Sequence, residues 1–169
     1  MTLRRYAVAA ADPFAHALLA AAVVAPLGRR AMATAVVAGT AIDVDHVVAA
    51  RSAHPRAMLS LDTRPRSHTL LGAVALGGAA TALGGPVHGW AAFAGLASHL
   101  LRDASDDAAP TPLAWPLASP RQIGRSRAVA GIAALALGSW ALSRRGAASA
   151  GPSAAGAGGG AGTARPRTG

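Results

Sequence analysis

Apolar residues in this chain come in runs. Residues 13–27, 31–42, 69–84, 87–102 and 127–143 are dominated by Ala, Gly, Val and Leu, and Pro, Gly or Arg stand at their borders. Helix formers inside and breakers between predict five α-helices. A helix that crosses a bilayer needs about 20 predominantly apolar residues, with about 17 at the low end. These runs therefore predict short spans, tilted hairpins or partly interfacial helices. The chain is 52% hydrophobic and 14% charged, with a mean hydropathy of +0.36. One soluble core of this size does not need so much apolar material, so the composition points to a membrane.

The charge pattern fits that frame. The formal net charge is +9, every basic residue is Arg and every acidic residue is Asp. A nucleic-acid binder would line one exposed stripe with its cations. Here the arginines fall as pairs and loop clusters between apolar runs, so no direct nucleic-acid binding is expected. If the runs are spans, the segment before the first helix and the loops 43–68 and 103–126 share one side. They carry Arg4, Arg5, Arg51, Arg56, Arg64, Arg66, Arg121, Arg125 and Arg127, whereas Arg29, Arg30 and the tail arginines lie opposite. The positive-inside rule assigns the first group to the cytoplasm, which predicts a multi-pass protein of the bacterial inner membrane.

Several local signals refine this outline. Asp12-Pro13 interrupts the apolar stretch after Arg4 and Arg5, which argues against a cleaved secretory signal. Asp12 reads as an N-cap and Pro13 as the first residue of helix one, placing His16 in its first turn. Pro26-Leu27-Gly28 ends that helix, and Arg29-Arg30 make a polar turn into the next. Residues 1–145 form the expected helical membrane domain. From 146 to 169 the chain is Gly, Ala, Ser, Pro and Arg without apolar periodicity, and disorder is expected there.

With no Cys in the chain, disulfides, thiol catalysis and Cys-based zinc sites are excluded. Any metal site must come from His and Asp, which are expensive beside lipid and need a partner or a purpose. Four clusters stand out. The first is His16. The second is Asp43-Val44-Asp45-His46, after the second apolar run, whose donors converge if the chain leaves helical geometry there. The third is Arg64-Pro65-Arg66-Ser67-His68, with Ser67 a candidate N-cap, His68 in the first turn of helix three and Arg66 a membrane-surface anchor. The fourth is Ser98-His99-Leu100-Leu101-Arg102-Asp103, where i, i+4 spacing puts His99 and Asp103 on one helix face. Asp106 and Asp107 follow and either ligate or face solvent. His54 and His88 fall outside the pattern. A His/Asp set suits zinc, with manganese or iron as alternatives.

These motifs occur in a recognisable order. An early His, a D-x-D-H segment, Thr63-Arg64-Pro65-Arg66-Ser67-His68-Thr69, Ser98-His99 with Asp103, and Pro112-Leu113-Ala114-Trp115-Pro116 resemble the bacterial membrane-bound metal-dependent hydrolases, which include LexA-binding, inner-membrane-associated proteins. The resemblance spans about residues 12–117. That family is in turn distantly similar to zinc-dependent phospholipase C and S1/P1 nuclease. The resemblance implies an all-α bundle of about four to five short membrane-embedded helices with a His/Asp cluster at one end. It implies metal ligands among His16, Asp43, Asp45, His46, His68, His99 and Asp103, with Asp45 and Arg64 as catalytic residues. Arg64 would hold a phosphate or carboxylate bidentately.

The implied reaction is hydrolysis of an ester or phosphoester at the cytoplasmic face, by water activated at a divalent ion. Membrane lipid and a regulatory protein are the expected partners. Thr63 stands where the family pattern has a His, and Pro65 where it has Gly. The reduced His set implies one or two ions at most. Two other readings stay open: a non-catalytic scaffold of the same fold, and a small transporter with its polar groups at mid-membrane.

Overall fold

Pro13, expected to open the first helix, lies inside it. In the computed structural model, which describes residues 3–54, 57–58, 60–106 and 109–149, α1 runs from Leu3 to Val24 straight through the proline. A proline inside a helix removes one backbone hydrogen bond and costs about 3 kcal/mol. Ala-rich sequence on both sides and packing against three other helices hold this one together. Asp12 does not cap α1; its carboxylate turns to Arg102 and His16 instead.

The remaining elements lie close to the apolar runs. A 3-10 turn at Ala25–Leu27 leads to Gly28, whose φ of 89° a side chain would resist, and Arg29 then begins α2 (Arg29–Ala41) rather than forming the turn. The expected loop after α2 contains a short helix, α3 (Val44–Ala50), which ends at Arg51 in the left-handed region with Ser52 N–H donating to the Val47 carbonyl. α4 (Leu70–Gly84) is capped by Thr69, whose Oγ1 accepts from Gly72 N–H at 2.9 Å. His68 therefore precedes the helix, and Ser67 is not the cap. Pro86 opens α5 (Pro86–Asp103), and α6 runs over Arg125–Ser149. Residues 146–149 thus continue α6, and the rest of the tail expected to be disordered lies outside the described residues. Among the described residues the fold is all-α, with one isolated bridge pairing Thr111 and Arg121.

α5 is the central helix. It packs against α1, α2, α4 and α6 and is buried along most of its length from Gly89 to Asp103. Its contacts are made by small residues, so backbones approach closely. A Cβ on Gly95 would meet the Ala35 carbonyl oxygen at 2.4 Å, and one on Gly89 would meet Thr81 Oγ1 and the Gly77 carbonyl. Such packing is how helices associate where lipid leaves little hydrophobic driving force between them. Two segments, Arg29–Ala50 and Arg125–Ala148, are long and apolar enough to cross a membrane, while Ala11–Leu27 and Leu70–Gly84 are apolar but shorter. Only 22% and 17% of the two longer windows is buried within the protein, which suits a lipid-facing helix better than a soluble core.

Gly95→Ala should lower thermal stability in detergent by about 1–3 kcal/mol through overpacking against α2. Gly78→Ala, where a Cβ meets nothing within 4 Å, should be neutral or stabilising by up to about 1 kcal/mol. Equal behaviour of the two variants would contradict the close α2–α5 contact.

A candidate metal centre

Three helix ends meet at one end of the bundle. α2 finishes just before Asp43, α4 starts just after His68, and α5 finishes at Asp103. Tight i→i+3 hydrogen bonds turn the chain at Ile42-Asp43, with Asp45 N–H donating to the Ile42 carbonyl and His46 N–H to Asp43. That turn swings Asp43, Asp45 and His46 toward α5. The C-termini of α2 and α5 bring partial negative charge to the same place, which favours a cation.

The imidazoles form a file. His16 stacks on His99 with ring centroids 3.7 Å apart, His99 meets His68 edge-on at 5.4 Å, and His68 meets His46 edge-on at 4.8 Å. Carboxylates sit between them. Asp103 lies 3.2 Å from His16 and 3.1 Å from His99, Asp43 lies 3.5 Å from His99 and 3.8 Å from His68, and Asp45 lies 3.1 Å from His68 and 3.2 Å from His46. Ser67 Oγ donates to Asp45. All seven residues named as ligand candidates from the sequence therefore come together. They form three groups, His16/His99/Asp103, Asp43/His68/His99 and Asp45/His46/His68, each with ligand atoms within 4.8 Å of one another. The middle group shares a histidine with each outer one, so only the outer two can be filled together without sharing a ring.

The donor set fits a metal for a second reason. His16, His68, His99 and Asp103 are essentially inaccessible to solvent. Yet both ring nitrogens of His99, both oxygens of Asp103, Nε2 of His68 and Oδ1 of Asp45 lack a hydrogen bond of acceptable geometry. Close approach without hydrogen-bond alignment leaves lone pairs directed at shared space, and buried polar atoms left so require an explanation. A divalent ion satisfies several at once.

Arginines frame the cluster. Arg64 reaches Asp103 at 3.0 Å and Asp106 at 3.1 Å, while its buried Nε has no acceptor. Asp106 thus serves Arg64, and Asp107 lies outside the described residues. Arg102 donates to His16 Nε2 at 2.7 Å and pairs with Asp12 at 2.5 Å. Asp12, expected as an N-cap, and Arg102, for which no role is expected from the sequence, are both neighbours of the site. The signal was present: Asp12 and His16 have the same i, i+4 spacing used to pair His99 with Asp103. Thr63 is exposed. His88 belongs elsewhere, its Nδ1 2.8 Å from Thr34 Oγ1.

Residues 11–160 match the family model described as YdjM inner membrane protein. The chain belongs to the YdjM inner membrane protein family. No curated protein and no solved structure matches it. Membership in the YdjM family and the two span-length helices agree on the inner membrane.

Burial works against charging the His68 ring, but the carboxylates of Asp43, Asp45 and Asp103 outweigh it and raise the pKa from 6.5 to about 9. A folded pKa above the unfolded one adds stability that is complete below pH 6.5 and disappears as pH rises through 9. Chelator-treated protein should therefore lose thermal stability between those limits, and His68→Gln should flatten the loss. A profile that is level in the wild type would show that His68 is not charged.

Proposed function

We propose that this YdjM-family chain is a membrane-bound metal-dependent hydrolase acting on an ester or phosphoester at the cytoplasmic face. One observation carries the reading: His99 is fully buried, with neither ring nitrogen hydrogen-bonded, between the carboxylates of Asp103 and Asp43. The arginine asymmetry between the two sides supports the cytoplasmic assignment. Polar groups gathered at one end of α2, α4 and α5 argue for chemistry at a surface rather than a relay through mid-membrane.

A divalent ion held by His16, His99 and Asp103, or by Asp45, His46 and His68, would supply Lewis acidity toward the ester and toward water; zinc suits these donors, with manganese and iron as alternatives. Arg64 does the binding. Its buried Nε–H has no acceptor and its two amino groups are held by Asp103 and Asp106, so a phosphate or carboxylate would meet the guanidinium fork by displacing Asp106, the more exposed of the two partners. With the ion on His16, His99 and Asp103, Asp45 is left as the general base: Oδ2 is fixed by Ser67 and His68, and Oδ1 faces His46 at 3.2 Å. The exposed Thr63, in place of the His of the resembled pattern, favours a second reading, a non-catalytic scaffold for a regulatory protein.

Purified protein should bind zinc, and His99→Ala and Asp103→Ala should lose the ion held with His16. Arg64→Lys should keep the metal yet cut hydrolysis of a phospholipid-type ester roughly ten- to a hundredfold, the loss of one charge-assisted contact of about 1.5–3 kcal/mol. Absence of metal in the wild type would sink the proposal, and metal without turnover would leave the scaffold.

A further inference from the structure

The Pro112-Leu113-Ala114-Trp115-Pro116 segment has no part in the cluster, yet the fold ties its loop to Arg64 and to the start of α4, beside the cluster. Arg64 N–H donates to the Pro110 carbonyl, Leu70 N–H donates to the Leu113 carbonyl at 2.9 Å, and paired hydrogen bonds between Thr111 and Arg121 close the loop. Thr111 and Pro112 are buried, and Leu113 packs on Ala73, Leu96 and Leu100. One side of the loop is thus fixed to the core. The other side presents Trp115, 39% exposed, and Leu117, 93% exposed. Trp is enriched at membrane–water interfaces, where its ring sits at headgroup level.

We propose that this loop is an interfacial wedge that seats the cluster end of the bundle on an anionic phospholipid surface. Connectivity places it at a membrane boundary, because the candidate span Arg125–Ala148 begins a few residues after Leu117. Its composition suits the headgroup layer. Arg66 lies over the Trp115 ring at 5.6 Å, so an aromatic body and a cation face outward together. Arg66 and Arg121 of this region and Arg125 and Arg127 just after it in the chain are exposed, whereas Asp62 is the one acidic residue that is exposed among the described residues. That imbalance is complementary to acidic lipid. Combined with the hydrolase reading, on which this consequence rests, the wedge makes a phospholipid headgroup the substrate class, with its phosphoester delivered at the depth of Arg64.

The chain has no cysteine, so Leu117→Cys gives one labelling site on an exposed position. The labelled full-length protein, carrying a polarity-sensitive fluorophore, is reconstituted into phosphatidylcholine vesicles with and without phosphatidylglycerol. The expected result is a blue-shifted probe, protected from an aqueous quencher and quenched by brominated lipid, most strongly with phosphatidylglycerol present. Arg66→Gln with Arg121→Gln should reduce that protection. Label at Ser60→Cys, also exposed, should stay in water. A Leu117 probe that remains water-exposed in both vesicle types would overturn the wedge and leave the loop as a surface for a water-soluble partner. Because the readout needs neither metal nor turnover, an embedded probe without hydrolysis would count only against the hydrolase reading.

Discussion

A carboxylate with no access to water governs this structure. Asp103 ends the central helix α5 at complete burial, where an uncompensated charge would cost several kcal/mol or more. His16 from α1, His68 from the segment before α4, His99 from one turn earlier and Arg64 from the preceding loop all approach it within 4 Å. These donors come from α1, from the segment before α4 and from α5 itself. Compensating one buried charge therefore fixes how α1, α4 and α5 meet at this end of the bundle. The same convergence leaves ring nitrogens and carboxylate oxygens without hydrogen bonds of good geometry, which is the condition that a bound cation relieves.

The frame around Asp103 is built for close approach. Ala and Gly line the contacts of α5 with α2 and α4, and the Gly95 backbone presses against Ala35 with no room for a methyl group. Large side chains would separate the helix ends and, with them, His99, Asp43 and His68. Small residues thus serve the site as well as the packing. They also explain why so many bulkier apolar residues, among them Phe14, Leu18, Val37 and Leu71, face outward; in lipid that exposure carries no penalty.

Much of this was legible from the residues. Apolar runs marked α2, α4 and α5 closely because strong breakers, Pro26, Gly28, Gly85 and Pro86, separate them, whereas α1 begins well before Pro13 and α6 runs on past residue 143. Seven ligand candidates were readable because His and Asp are so rare elsewhere that their placement carries information. Local end signals misled where tertiary contacts outbid them. Asp12 and Ser67 have the chemistry of N-caps, yet Arg102 and His16 recruit the first, and Asp45 takes the second. α3 was invisible for another reason: seven residues containing Asp45 and His46 have too little periodicity to stand out from a loop. Overlap among the three donor groups, through His68 and His99, depends on side-chain distances that no spacing rule supplies.

The charge of +9 takes on a second role once the acids are located. Asp12, Asp43, Asp45, Asp103 and Asp106 all face histidine or arginine partners at one end of the molecule, and no acidic residue follows Asp107 in the sequence. The cluster's carboxylates are therefore partnered, while Arg66, Arg121, Arg125 and Arg127 are exposed. A divalent ion in the cluster would shift the balance further toward positive. An anionic group approaching along the membrane then meets a potential that favours it at every step, first from the exposed arginines and finally from Arg64. Scarcity of acids away from the cluster is thus part of how such a site would admit a phosphoester while holding a cation.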